Sequence, residues 1–138
     1  MYLVYQPEGS AEPQRWRYNP RKLMSADREK IERLTGVPFA EATQLILKGH
    51  ALCRRALLFT FLRRDHRGLR FEDVDFAWDE LTLQYSKGEY ERMRQDLIDS
   101  GALHGGELDA ALAKLDEEMA TAFEDPEEEG KALRPIAE

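Results

Sequence analysis

His50 and Cys53 form the pair of side chains whose types and spacing best suit metal binding. They stand three residues apart in a stretch with helical periodicity, so both could reach one ion. A zinc site needs three or four convergent ligands, and the remaining histidines, His66 and His104, show neither CxxC nor HxxxH spacing. The pattern therefore favours a polar residue at a helix start followed by a core cysteine, and we expect no metal and no cofactor.

A cluster of carboxylates in the stretch EDVDFAWDE could hold a divalent cation for hydrolysis or phosphoryl transfer. A helix N-terminus favours the same residues, because its dipole attracts negative charge. The sequence has no Gly-rich phosphate loop, no general-base histidine at a recognisable spacing and no serine or cysteine nucleophile motif. We therefore expect no enzymatic activity and no catalytic residue. The cluster consists of Glu72, Asp73, Asp75, Asp79 and Glu80.

A group of arginines and aromatic residues could contact nucleic acid, since guanidinium groups bind phosphates and aromatic rings stack on bases. A nucleic-acid-binding domain is normally basic, whereas this chain has a formal net charge of -7 and no helix-turn-helix or zinc-finger spacing. We therefore expect no nucleic-acid partner, and we interpret the arginines as a solvated face or as partners of carboxylates. The group comprises Arg54, Arg55, Arg63 and Arg64, with Arg67 and Arg70 downstream, and Trp16, Tyr18 and Phe71.

The charge is divided unevenly along the chain. Residues 1–70 contain 14 Lys and Arg against 7 Asp and Glu, whereas residues 71–138 contain 6 against 20. Opposite potentials attract within about a Debye length, roughly 8 to 10 Å. This asymmetry raises the hypothesis that the acidic end of the chain docks on the arginine pairs.

The opening segment and the cysteine content indicate the compartment. The stretch MYLVYQPEGS has no basic leader followed by an apolar region, and no apolar run in the chain approaches membrane-spanning length. Cys53 is the only cysteine, so no internal disulfide can form. We expect a cytoplasmic protein that is not exported and has no membrane partner.

The elements that must position these residues begin with a predicted strand pair in residues 1–20. The runs YLVY and RWRY are rich in β-branched and aromatic residues, and the prolines and glycine of QPEGSAEPQ suit the connection between them. Alternation places Trp16 and Tyr18 on one face of the second strand and Arg15 and Arg17 on the other. One face of the pair is therefore expected to cover the core.

Helical periodicity dominates the rest of the chain. SADREKIERLTG has acidic residues in its first turns and Gly36 as a stop, and FAEATQLILKG repeats this pattern after Pro38. Residues 50–64 are apolar around most of the helix circumference, which predicts a central buried helix. Three further helices are predicted from FEDVDFAWDELTLQ, EYERMRQDLIDSG and ELDAALAKLDEEMATAF.

These elements predict a mainly α fold, a single small helical domain with a short N-terminal strand pair and an acidic C-terminal tail. The domain spans residues 1–123, with the strand pair in 1–20 and the helices in 25–123. Residues 124–138 are acidic, contain two prolines and offer few core candidates, so we expect a flexible tail.

The order of motifs from Trp16 to Phe76 resembles that of the tail assembly chaperones of long-tailed (siphovirus-type) bacteriophages. In that family a Y-x-P-x-K-L opening leads to a helix ending in IE-x-x-TG, and a later apolar helix ends in a double arginine before L-x-F-E-D-V-D. These motifs punctuate helices and contain no catalytic group. The matching residues are Tyr18, Pro20, Lys22 and Leu23; Ile31, Glu32, Thr35 and Gly36; and Arg63, Arg64, Leu69, Phe71, Glu72, Asp73, Val74 and Asp75.

The resemblance implies a non-enzymatic helper in the bacterial host cytoplasm. Such proteins bind the long, hydrophobic tape measure protein, keep it soluble and help to recruit subunits of the major tail (tube) protein. They are often made in two lengths by programmed ribosomal frameshifting, and Glu129, Gly130 and Lys131 can be encoded by a slippery heptamer that would give a longer isoform. An oligomer is compatible with this role.

A groove between helices with a charged rim would suit an amphipathic partner helix. The sequence does not separate groove from core, so the expected contacts are the outward members of one apolar set. The apolar set is Phe39, Leu45, Phe59, Phe61, Trp78 and Leu81, and the charged rim is Arg54, Arg55, Arg63 and Arg64.

Two other kinds of protein stay open as alternatives. The same helices could build a symmetric ring in a structural virion component, such as a head-tail connector or a tail-completion protein. A small DNA-binding phage regulator is the other alternative, and it would show salt-dependent retention on duplex DNA.

Overall fold

A computed structural model describes residues 1–127 and confirms the mainly α fold, with a small antiparallel sheet that includes the predicted strand pair. Its contacts group the chain into two compact units, one formed by Leu3–Leu83 and one formed by Met1–Tyr2 with the chain from Gln84 onward. No helix within residues 1–127 is long and apolar enough to cross a bilayer. The elements are β1 Tyr2–Tyr5, β2 Gln14–Arg17, α1 Ser25–Thr35, α2 Phe39–Leu47, α3 Ala51–Leu62, β3 Leu81–Gln84, α4 Lys87–Ser100 and α5 Gly105–Ala120.

The sheet has the strand order β2-β1-β3, so β1 is its central strand. Alternation along the second strand is as predicted, because Tyr18 is buried while the side chains of Arg15 and Arg17 are exposed. Trp16 stacks on Phe61 of α3, with ring centroids 5.7 Å apart and the two ring planes 16° from parallel. One face of the sheet therefore covers the core, as its sequence pattern indicates.

Residues 71–84 do not form the helix that their periodicity predicts. They form two 3₁₀ turns, Phe71–Asp73 and Trp78–Glu80, followed by strand β3. The Glu80 carboxylate accepts hydrogen bonds from the backbone N–H groups of Ala77 and Glu8, both at 2.6 Å, and so stabilises a turn beside the sheet. The stretch LTLQ then pairs with β1, and this long-range pairing outweighs the local helical pattern.

Helices α1 and α2 begin and end close to the predicted positions. Gly36 adopts a left-handed conformation with φ 75°, and its N–H donates to the Glu32 carbonyl at 2.8 Å, which ends α1. The Glu32 side chain accepts from the Phe39 N–H at 2.8 Å, so it links α1 to the first turn of α2. The cap position of α1 is Met24, which gives no side-chain hydrogen bond, and Ser25 is the first helical residue.

Helix α3 is the central helix, as its apolar circumference predicts. It packs against both α1 and α2. Its buried side chains are Cys53, Ala56, Leu57, Leu58, Phe59, Thr60 and Phe61. Arg63 occupies the C-terminal cap position, and the chain leaves the helix toward the turn at 65–68.

In the second unit, α4 and α5 form a helical hairpin whose first turn lies inside the predicted interruption YSKGEY. Ser86 and Glu89 build a capping box, in which each side chain accepts from the other's backbone N–H at 3.0 to 3.1 Å. The Arg94 guanidinium bonds the Asp116 carboxylate at 3.0 Å and connects the two helices. Neither helix contains a fully buried side chain.

Phe123, the last residue of the predicted domain, and the first residues of the predicted tail contact the start of the second unit. The Phe123 ring packs edge-on against Tyr2 at 4.9 Å, and its carbonyl accepts from the Lys87 N–H at 2.9 Å. Glu124 accepts from the Lys87 ammonium at 3.3 Å, and Asp125 bonds the Tyr2 hydroxyl. Residues 128–138 lie outside the described residues. They include Glu129, Gly130 and Lys131 of the proposed frameshift site and most of the expected tail.

Candidate partner-binding surface

The expected apolar contact residues separate into core and surface. Phe59, Phe61 and Leu81 are buried in the core of the first unit, so they support the surface and do not contribute to it. Phe39 and Leu45, both on α2, are half-buried. Trp78 is 70% exposed and is the one strongly exposed member of the predicted apolar set.

Trp78 lies on the corner where α2 turns into α3. Its ring covers Gly49, because a β-carbon added at Gly49 would lie 2.8 Å from Trp78 Cζ3. The Arg54 guanidinium stands over the ring, 5.3 Å from its centroid. Leu47 is two residues before Gly49 and is 51% exposed. We call these four residues, Leu47, Gly49, Arg54 and Trp78, the corner patch.

Arg54 and Arg55 are half-buried, and within residues 1–127 each donates to backbone carbonyls and not to a carboxylate. Arg54 Nε donates to the Ile46 carbonyl at 2.9 Å, and burial lowers the pKa of its guanidinium. Arg55 donates from Nε to the Val74 carbonyl at 2.5 Å and from Nη2 to the Phe71 carbonyl at 2.9 Å. Carbonyl oxygens thus satisfy charges that would be costly to leave unpaired, and Arg55 ties the 71–74 segment to α3.

Arg63 and Arg64 are exposed at the end of α3, where the negative end of the helix dipole favours cations. They line a cavity of about 160 Å³ between α1 and α3, which we call the α1–α3 cavity. Its lining residues are Asp27 and Lys30 from α1 and Thr60, Arg63 and Arg64 from α3 and its cap. The Arg64 guanidinium lies 3.6 Å from the Asp27 carboxylate.

The carboxylate cluster is divided among local structural contacts. Asp73 forms a two-bond ion pair with Arg70, at 3.1 and 3.2 Å, which lowers the pKa of the Asp73 carboxyl. The pKa of Glu80 is also lowered, because its carboxylate accepts the N–H groups of Ala77 and Glu8. Asp75 accepts from the Phe76 N–H at 2.9 Å. Within residues 1–127, no three His, Cys, Asp or Glu side chains are placed to hold a metal ion together.

His50 and Cys53 occupy the structural positions that their spacing favours. His50 is the N-cap of α3, and its Nδ1 accepts from the Cys53 N–H at 3.3 Å. The Cys53 thiol is fully buried, and burial raises its pKa with a smaller contribution from the charge of Glu41. A reactive cysteine needs a lowered pKa and solvent access, so Cys53 has the environment of a core residue.

The aromatic residues considered for base stacking are occupied by protein contacts. Tyr18 is buried, and Trp16 is stacked on Phe61. Phe71 packs edge-on against Phe59 at 5.6 Å, and the Arg55 guanidinium stands 4.3 Å from its centroid. These contacts cover ring faces that stacked bases would need.

Sequence reasoning missed the part that α1 contributes to the cavity. Asp27 and Lys30 are spaced three apart, and Thr60 is three and four residues before Arg63 and Arg64, so each group lies on one helix face. That spacing was available as a signal. It did not show that the two faces would meet, because only the packing of α1 on α3 joins them.

Comparison of this chain with protein-family models, with curated proteins and with solved structures gave no match.

Proposed function

We propose that this protein is a tail assembly chaperone of a long-tailed bacteriophage. In this role it binds the tape measure protein in the bacterial host cytoplasm, keeps it soluble and helps to recruit tail tube subunits. The motif order from Trp16 to Phe76 supports the proposal, and so does the mainly α fold.

The observation that carries the proposal is the exposure of Trp78 in the corner patch. A tryptophan that is 70% exposed leaves apolar surface whose burial by a partner is favourable, and tryptophan and arginine are enriched among residues that dominate binding energy. Gly49 in contact with the ring and the Arg54 guanidinium over its face hold the indole in place. A positioned aromatic anchor loses little side-chain entropy when a partner covers it.

The proposed occupant of the corner patch is an amphipathic helix of the tape measure protein. Its apolar face would cover the Trp78 ring and the exposed Leu47 side chain, which lies close to Gly49 along the chain. The Arg54 guanidinium would offer a cation at the edge of this apolar contact. An acidic residue next to the apolar stripe of the partner helix would therefore strengthen the complex.

Co-expression with the tape measure protein tests this function. The wild-type chain is expected to keep the tape measure protein soluble and to co-purify with it, whereas Trp78→Ala reduces the co-purified amount by about tenfold. Met24→Ala is the matched control, because Met24 is a large apolar residue that is 73% exposed outside the corner patch. This control variant should retain the tape measure protein as well as the wild type does.

Three results would contradict the proposal. If the tape measure protein aggregates while the chain is folded and forms rings alone, the structural virion component becomes the better assignment. Salt-dependent retention on duplex DNA would favour the regulator. Equal losses from Trp78→Ala and Met24→Ala would remove the corner patch as the binding surface.

A further inference from the structure

The α1–α3 cavity gathers three cations around one carboxylate. Lys30, Arg63 and Arg64 line it together with Asp27, and the single ion pair among them, Arg64 with Asp27, spans 3.6 Å. Among the described residues, neither the Lys30 ammonium nor the Arg63 guanidinium has a carboxylate within 4.0 Å. The cavity therefore has more positive charge than the protein neutralises there.

Aromatic rings hold these cations and leave most of their donors available. The Lys30 ammonium lies 5.3 Å and the Arg63 guanidinium 5.6 Å from the centroid of the Phe59 ring. The Arg64 guanidinium lies 4.6 Å from the centroid of Phe61. A ring face positions a cation without accepting a conventional N–H hydrogen bond, so the N–H groups can still bind a ligand.

We propose that the α1–α3 cavity is an oxyanion site that receives a carboxylate side chain from an acidic segment of a protein partner. A bound oxyanion would relieve the repulsion among the three cations and would accept from the guanidinium forks of Arg63 and Arg64. This site is separate from the corner patch, and the inference does not depend on the identity of the partner under the proposed function.

The Asp27 carboxylate that lines the cavity favours a singly charged carboxylate over a multiply charged phosphate, and the α3 side of the cavity offers no free backbone donors. Phosphate sites commonly use free N–H groups at a helix N-terminus. Here the N–H groups of Arg63 and Arg64 already donate to the carbonyls of Phe59 and Phe61, at 3.0 and 3.2 Å. The Thr60 hydroxyl donates to the Ala56 carbonyl at 2.9 Å. On the α3 side, side-chain cations thus supply the recognition, and the Asp27 carboxylate from α1 opposes a multiply charged ligand.

The experiment measures binding of a fluorescently labelled hexaglutamate peptide to the full chain by anisotropy, with hexaglutamine as the uncharged peptide. The test variant is Arg63→Gln with Arg64→Gln, and Lys30→Gln removes a cation from the other helix. The control is Arg21→Gln with Arg67→Gln, which removes two exposed arginines that do not line the cavity. Circular dichroism and thermal unfolding show whether each variant is folded.

The wild type is expected to bind hexaglutamate and not hexaglutamine. Binding should weaken by about tenfold in the Arg63 and Arg64 variant, by a smaller factor in Lys30→Gln, and by less than about twofold in the control. Equal weakening in the test and control variants would overturn the site, since general electrostatic attraction would explain it. Binding of inorganic phosphate without binding of hexaglutamate would overturn the assignment to a carboxylate, and so would the absence of any peptide binding.

Discussion

The Tyr18 hydroxyl is a buried polar group without a hydrogen-bond partner among residues 1–127, and Tyr18 is only 2% exposed. Burial disfavours the phenolate and raises the pKa of Tyr18 from 10.0 to about 12. The unfolded chain therefore releases this proton at a lower pH than the folded chain does. The free energy of unfolding is fully retained below pH 10.0 and falls as the pH rises toward about 12.

Replacement of Tyr18 by phenylalanine should remove this part of the alkaline destabilisation. At about pH 8 the variant is expected to be as stable as the wild type or slightly more stable, because the buried hydroxyl is unpaired. Between about pH 8 and pH 11 the free energy of unfolding of the wild type should fall by about 1 kcal/mol more than that of Tyr18→Phe. Urea unfolding at both pH values measures the difference. The raised pKa values of Tyr5 and Tyr90 affect both proteins, so parallel losses would show that folding does not raise the pKa of Tyr18.

Gly49 combines two requirements at one residue, a left-handed backbone and the absence of a β-carbon. Its φ is 87°, and an added β-carbon would overlap the Trp78 ring. Gly49→Ala should therefore destabilise the protein by about 1 to 2 kcal/mol for the backbone, with a further cost for displacing the indole. In a Trp78→Ala background only the backbone cost should remain, and a double-mutant cycle by urea unfolding separates the two. Equal costs in both backgrounds would contradict the ring contact.

Residue types and short spacings were enough to assign some side chains correctly and not others. His50 and Cys53 have a local relationship, so their cap and core roles follow from three residues of sequence. The partners of Arg55 lie 16 and 19 residues away, in and just after a short 3₁₀ turn. No periodicity reveals that two backbone carbonyls will face a guanidinium, so the sequence did not predict these contacts.

At the level of elements, Arg55 fastens the 3₁₀ turn at residues 71–74 to α3. Its fork donates to two carbonyls, and the guanidinium stands over the Phe71 ring. Arg55→Lys keeps the charge but loses the fork and the planar stacking, so we expect a loss of about 1 to 3 kcal/mol. Faster hydrogen exchange of the Asp73 and Val74 amides, which bond the carbonyls of Arg70 and Phe71, would report the loosened segment.

The matched control for this prediction is Arg63→Lys, at an arginine whose guanidinium donates no hydrogen bond to the backbone of residues 71–74 within the described chain. It should leave the exchange of those two amides unchanged. If Arg55→Lys also leaves their exchange unchanged, the segment is held by the burial of Val74 and not by the fork.

Elements that are specified locally were predictable, and those specified by distant pairing were not. Gly36, Gly49 and Gly101 all adopt positive φ at or just beyond helix ends, which a glycine after an amphipathic run predicts. Strand β3 has the same apolar residues that a short helix would use. Its identity depends on β1, from which it is separated by most of the first unit, so the local pattern favoured the wrong element.

At the scale of the whole molecule, the sequence predicted several residues of the candidate surfaces but not how these residues are arranged. Both arginine pairs were selected, yet Arg54 belongs to the corner patch while Arg63 and Arg64 belong to the α1–α3 cavity. Their separation follows from the packing of α3, which presents successive turns to different neighbours. Docking of the acidic C-terminal segment on the arginines stays a prediction, because residues 128–138 lie outside the described part of the chain.

The two compact units differ in burial, and this predicts different local stabilities. Helix α3 buries seven side chains, whereas α4 and α5 bury none fully. Opening free energies follow buried apolar contacts. In native-state hydrogen exchange, the opening free energy of the slowest-exchanging amides in α3 should therefore be about 1 to 2 kcal/mol higher than that of the slowest amides in α4 and α5. Arg94→Gln, which removes the ion pair with Asp116, should lower protection by less than about 1 kcal/mol in α4 and α5 alone. Equal opening free energies in all three helices would show that the two units open together. So would a loss of protection in α3 that matches the loss in α4 and α5 of the Arg94→Gln variant.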